Sequence, residues 1–305
     1  MRVPLTALLA ILCLAHAIPA NAQADSAFVA LDTRTGQTVS LDRMADSLAR
    51  FDVVFLGEQH DDPVTHQVQA GLLRLIGQRR REVILALEMF ERDVQTQVDE
   101  YAAGRISEAD FLAQSRPWPN YATDYRPLVE IARANRWPVA AGNVPRPIAA
   151  SVSRSGMQAA MAMDPAQWRL FAADRRCAPE GEYFRRFGEA MGGMGGHGAA
   201  VEGGESPLVR FYAAQCLKDE TMAESIERAR QSWPGWMVVH VNGGFHSERR
   251  LGTVERTARR LPSARIATVL MVPVADPARA DHADAAALAD YVVYTRAAAP
   301  AARQP

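Results

Sequence analysis

The chain is almost without lysine. Its 305 residues carry 34 basic and 35 acidic side chains, and Lys218 is the single lysine. Codon composition accounts for that bias more readily than function does. The formal charge of −1 offers no bulk attraction to a nucleic acid backbone. Cysteine is scarce, with only Cys13, Cys177 and Cys216. There is no Gly-x-Ser-x-Gly elbow, no His-Glu-x-x-His helix and no Gly-rich phosphate loop ending in Lys-Ser/Thr. These absences remove the serine-hydrolase, zincin and P-loop templates. Beyond the N-terminal region, no apolar run is long enough for a membrane-spanning helix, and no internal repeat is present.

The N-terminus reads as a leader. Arg2 is a short positive region, residues 5–15 are apolar, and Ala20-Asn21-Ala22 forms an Ala-x-Ala cleavage site. Residues 1–22 are therefore expected to be removed, with Gln23 beginning a mature periplasmic chain. Leu12 stands before Cys13 where a lipoprotein signal needs a small residue, so a lipid anchor is not expected. Cys177 and Cys216 remain, and in an oxidising compartment they either pair or stay as two thiols.

What the sequence does contain is a set of apolar runs that end in polar residues. One begins at Val53 and closes on Gly57, Glu58, Gln59 and His60. A second begins at Val83 and closes on Glu88. A third runs from Pro138 to Gly142 and Asn143. A fourth begins at Met237 and reaches Gly243, Gly244, Phe245 and His246. Continuous apolar runs are the pattern of parallel strands buried on both faces. The intervening segments are helical. Asp62-Pro63 is a helix start, Ser107 opens a capping-box-like turn, and Arg146-Pro147 opens another helix. The expected fold is α/β, a mostly parallel sheet flanked by helices. A helical subdomain at about 147–233 comes before the fourth core strand. A hairpin at 28–41 precedes these elements, a strand at 266–272 follows them, and 23–296 form one domain with a disordered tail at 297–305.

In an open α/β sheet, ligands bind at the carboxyl ends of the strands. Glu58, His60, Glu88 and His246 are the candidate metal ligands there, since carboxylate and imidazole suit zinc, manganese or non-haem iron. On spacing alone the plainer reading holds, with Glu58 capping the next helix. Glu88 needs a partner because an unpaired buried carboxylate is costly; Arg92 and Arg146 are candidates. Asn143 ends the third run. Gln215 and Asp219 fall inside the apolar stripe of a helix at 207–232, so they bond to something buried.

Taken in order, Phe55 to Asp61, Leu87-Glu88-Met89-Phe90, the segment 118–125 leading to Gly142-Asn143-Val144-Pro145-Arg146, Ala214-Gln215, 219–223 and Gly243-Gly244-Phe245-His246 resemble the ChaN-like family of iron-regulated, haem-binding proteins. The match covers roughly 51–272. The resemblance implies haem binding between two subunits and a role in bacterial iron acquisition, with an outer-membrane haem receptor as a partner. No Cys-x-x-Cys-His occurs, so the haem is non-covalent. Tyr183, His197 and Met194 are the candidate haem ligands in the helical stretch. More distant likeness to Tiki-type metalloproteases and erythromycin esterases keeps a second reading open, a metal-dependent hydrolase using Glu58, His60, Glu88 and His246. A third is a partner-binding module whose polar strand ends pair internally, for example Glu88 with Arg146.

Overall fold

A computed structural model describes residues 27–192 and 205–298. The leader, Met194, His197 and residues 299–305 lie outside the described residues. The elements in chain order are β1 (Phe28–Asp32), β2 (Gln37–Thr38), α1 (Leu41–Leu48), β3 (Val53–Glu58), α2 (Pro63–Arg79), β4 (Val83–Glu91), α3 (Gln95–Ala102), α4 (Glu108–Ser115) and α5 (Arg126–Asn135). They continue with β5 (Val139–Asn143), α6 (Arg146–Ser155), α7 (Gln158–Met161), α8 (Gly181–Ala190), α9 (Pro207–Ser232), β6 (Met237–Gly243), α10 (Gly252–Arg260), β7 (Ile266–Val274), α11 (Ala285–Leu288) and β8 (Tyr291–Arg296).

The strands form one sheet in the order β2-β1-β8-β7-β3-β6-β4-β5. From β8 to β5 all neighbours are parallel, and β1 runs antiparallel to both β8 and β2. The long apolar runs become the central strands, and all six residues of β3 are buried. The second hairpin strand is shorter than the 38–41 the sequence suggests. Ser40 instead serves as the N-cap of α1, its hydroxyl accepting from the Arg43 N–H at 3.2 Å. The Asp62-Pro63 start behaves as its chemistry requires, with the Asp62 carboxylate accepting from the Thr65 N–H at 3.1 Å.

Two helical layers cover the sheet. Val54 and Leu56 of β3 pack with Leu72 and Ile76 of α2 on one face. Val53 and Phe55 pack with Ile226 of α9 and Val254 of α10 on the other. So β3 and β6 are neighbours, yet the helix after β3 lies on one face and the helix after β6 on the opposite one. That is a topological switch point, and in open α/β sheets ligands bind outside the carboxyl ends of the strands at such a point.

Between β5 and β6 the described residues are helical. α6 and α9 share an apolar cluster of Ile148, Val152, Phe171 and Leu217. α8 packs on α9 through Tyr183, Phe187 and Tyr212. Cys177 and Cys216 form a disulfide joining the approach to α8 to the middle of α9, which settles the alternative left open by the sequence. No helix among the described residues is long and apolar enough to cross a membrane.

Candidate functional site at the sheet's carboxyl edge

The crevice is built by two hydrogen-bonded networks, one from each face of the sheet. On the α2 face, Glu58 is buried. It does not cap the following helix; Asp62 does. Its Oε1 accepts from the Tyr125 hydroxyl at 2.7 Å and lies 2.7 Å from His60 Nδ1. Its Oε2 accepts from Gln69 Nε2 at 2.7 Å. His66 stands 3.1 Å from Gln69 Oε1 through Nδ1 and 3.2 Å from the His60 carbonyl through Nε2. Asn120 Nδ2 also donates to that carbonyl at 3.0 Å. Tyr125 closes a π-helical turn, Tyr121–Tyr125, a rare form frequent at functional sites.

On the α9 face, the Gly243 N–H donates to Glu88 Oε2 at 2.7 Å. His246 Nε2 lies 3.5 Å from Glu88 Oε1, and its Nδ1 lies 2.7 Å from Asp219 Oδ1. Asp219 also accepts from Thr253 Oγ1 at 2.8 Å and from the Tyr183 hydroxyl at 2.7 Å. Gln215 Nε2 reaches both His246 Nδ1 at 3.2 Å and the Tyr183 hydroxyl at 3.1 Å. The two polar breaks in the α9 stripe thus meet the strand-end residues directly.

The electrostatics follow from burial and pairing. Burial alone would lower the His246 pKa, but the charges of Glu88 and Asp219 outweigh it and push it up to about 10. Burial would raise Glu88 and Asp219, and the His246 imidazolium instead holds both below the usual carboxylate range. His60 is raised: desolvation opposes, while the Glu58 bond and the Glu88 charge prevail. His240, mid-strand and edge-on to Phe55, is a core histidine that burial lowers to about 4.

Some expected partners stand elsewhere. Glu88 pairs with neither arginine. Arg92 Nη1 binds Glu224 at 3.0 Å, and Arg146 lies 3.6 Å from Glu91 with its guanidinium over Trp118. The internal pairing is between Glu88 and His246. Asn143 Oδ1 accepts from the Val144 N–H at 2.8 Å and joins neither network.

Among the described residues, no group of three or more His, Cys, Asp or Glu side chains is placed to hold a metal ion. Within each network carboxylate and imidazole bond to one another, Glu58 with His60, and Glu88 and Asp219 with His246. For haem the helical side offers a better match. A cavity of about 490 Å³ is lined by Tyr183, Tyr212 and Leu251, by Arg176, Arg256 and Arg259, and by Glu180, Glu182 and Glu255. Its arginines already hold carboxylates, Arg176 with Asp174 at 2.6 Å, Arg256 with Glu220 at 3.2 Å and Arg259 with Glu220 at 2.7 Å, so a porphyrin's carboxylates would compete with those partners. Tyr183 is 6% exposed. Burial and the neighbouring Asp219 keep its phenol well above its usual pKa, so in this conformation the oxygen is engaged with protein.

Sequence reasoning missed His66, Gln69, Asn120 and Tyr125. A signal existed: His66 and Gln69 are polar residues on the buried face of α2, beside Val68 and Leu72.

An α/β sheet with a switch-point crevice of buried acid–imidazole pairs and an inserted helical layer defines the class. Residues 44–257 match the family model described as haem-binding uptake, Tiki superfamily, ChaN, and the chain belongs to that family. Among solved structures, it is similar to ChaN of Campylobacter jejuni, described with cofacial haem. The TM-score is 0.64 at 18% identity, covering 88% of this chain and 97% of that one. It is also similar to an erythromycin esterase in its open conformation, with a TM-score of 0.47 at 10% identity over 80% of this chain and 76% of that one. A curated plant relative, the chloroplastic protein RETICULATA-RELATED 5 of Arabidopsis thaliana, is 24% identical over 252 residues. That match takes in 76% of this chain, which spans about a third of the relative's length (32%).

Proposed function

We propose that this protein binds haem non-covalently and serves haem and iron acquisition in the periplasm. The observation that carries the reading is the family match across 44–257. The fold likeness to a protein described with cofacial haem supports it, as does the aromatic and arginine-lined cavity beside Tyr183. Bound there, haem would supply a ferric iron and two propionates. Arg176, Arg256 or Arg259 would pair with the propionates by exchanging their present partners Asp174 and Glu220. Tyr183, or Met194 and His197, which lie outside the described residues, would meet the iron. Tyr183 can do so only by giving up its bond to Asp219.

A leader at 1–22 ending in Ala-x-Ala supports export, and the Cys177–Cys216 disulfide suits an oxidising compartment. A lipid anchor is not part of the proposal. A homodimer formed on haem loading is, because cofacial haems in the Campylobacter protein place two haems face to face. An outer-membrane haem receptor is the proposed partner. Hemin titration read at the Soret band tests the reading. A shift saturating near one haem per chain is expected; a linear, unsaturable change would overturn it.

A further inference from the structure

Strand β5 ends the sheet on one side, beside β4, and one side chain covers its open edge. Gln95, the first residue of α3, donates from Nε2 to the Val139 carbonyl at 2.8 Å. Its Oε1 accepts from the Ala141 N–H at 2.7 Å. The two backbone groups belong to residues two apart. In a parallel ladder one residue donates to the carbonyl before its opposite number and accepts from the N–H after it. An antiparallel partner exchanges both bonds with a single residue. β4 makes the same parallel step on the other side of β5, where Leu85, opposite Val139, donates to the Pro138 carbonyl at 3.0 Å. The Gln95 amide thus stands where the residue opposite Ala140 would stand in a further strand running parallel to β5.

Both faces of the sheet are hollow beside that edge. On the α9 face a cavity of about 410 Å³ is lined by Ile84, Ala140, Leu170 and Ala229. On the α5 face a second, of about 930 Å³, is lined by Ala102, Ala134 and Trp137. Val139 and Trp233 border both, and Trp233 is 43% exposed. Successive side chains of a strand point to opposite faces, so an added strand would send them alternately into the two cavities. Each cavity also holds an exposed arginine with no carboxylate partner among the described residues. Arg169, whose Nη1 donates to the Ala166 carbonyl, borders the first, and Arg136 the second. The acids nearby are engaged already, Asp99 with Gln95 at 2.8 Å and Glu130 with Arg133 at 3.0 Å.

We propose that the β5 edge docks an extended acidic segment of a partner protein as a parallel strand, with Gln95 as the placeholder it displaces. The exchange replaces amide bonds by amide bonds, and the released Gln95 keeps Asp99 as its partner. One acidic side chain on each face meets Arg169 and Arg136, and β-branched residues at the other positions suit the pleat and the apolar walls. This is recognition by strand addition, and it does not depend on haem.

The test uses the purified, haem-free protein and fluorescein-labelled peptides read by anisotropy. The first is Val-Glu-Val-Thr-Asp-Val, whose two acids fall on opposite faces. The second has Lys at both acidic positions, and the third is the first with alternate backbone nitrogens methylated. Saturable binding of the first alone is expected. R136A and R169A should each weaken it by about 2- to 5-fold, as for an exposed ion pair. Q95A removes the competing amide and should tighten it by about 2- to 10-fold, the worth of a hydrogen bond. Independently of that variant, the wild-type Ala141 amide resonance should shift on titration while those of β8 stay in place. No saturable binding, equal binding of the Lys or methylated peptide, weaker binding by Q95A, or an unmoved Ala141 resonance would each overturn the proposal. Dimerisation of the haem-free protein that protects the Ala141 amide, without peptide binding, would assign the edge to a second copy and overturn it too.

Discussion

Replacing His246 by Gln removes the one cation between two buried carboxylates. His246 is 6% exposed, Glu88 4% and Asp219 0%, so water cannot take its place without opening the site. The rise of the imidazole from 6.5 to about 10 spans between three and four decades of proton affinity. At about 1.4 kcal/mol per decade, that is about 5 kcal/mol. Breaking one partner of a buried ion pair costs about 3–5 kcal/mol, and the two magnitudes agree. In a domain of this size, a loss near 4 kcal/mol lowers Tm by about 8–16 °C. Urea and thermal unfolding of H246Q at pH 7 should show it. The H246Q/D219N double variant should recover part of the loss, because one orphaned charge is gone. The pH dependence has a definite sign. The folded pKa of His246 is raised, so its contribution is complete below about 6.5 and disappears as pH climbs through about 10. Glu88 and Asp219 are lowered, so their contribution is complete above about 4.5 and falls away in acid. The gap between wild type and H246Q should be widest at about pH 4.5–6.5 and narrow steadily from about pH 6.5 toward pH 10. A loss under about 1 kcal/mol at pH 7, or a gap that widens in base, would refute the argument.

The Cys177–Cys216 bridge spans a separation of 39 residues, worth about 4 kcal/mol of chain entropy; C177S/C216S should melt earlier by a matching amount, and its melt alone should ignore dithiothreitol. Gln95 shields the edge strand β5, its Nε2 donating to the Val139 carbonyl and its Oε1 accepting from the Ala141 N–H. Q95A leaves both groups without that partner, at about 1–3 kcal/mol, and the Ala141 amide should exchange faster with solvent while β6 amides keep their protection.

The central strands were legible because burial on both faces leaves only apolar residues to choose from. Their polar terminators were equally visible, since a Glu or His closing such a run has few structural excuses. The final strand β8 was not read. Tyr291, Val292, Val293 and Tyr294 form only a brief apolar run near the end of the chain, and their partner β1 lies over 250 residues away, paired Phe28 to Thr295. The wiring of the site was also hidden. Glu88 and His246 are 158 positions apart, and only the sheet order places β6 beside β4. Local sequence favoured Arg92, four residues along, which folds away toward Glu224 on α9. The pairing among the candidate metal ligands was hidden for a related reason. Residue types suited a metal, and only the fold shows that Glu58 bonds His60 while Glu88 and Asp219 flank His246.

The account's central claim is haem binding, and the mass of the haem-loaded protein tests it most directly. Size-exclusion chromatography with light scattering, before and after hemin, should show Soret absorbance eluting with protein at twice the monomer mass of 33.4 kDa, less any leader removed. Haem eluting apart from a protein of unchanged mass would contradict it.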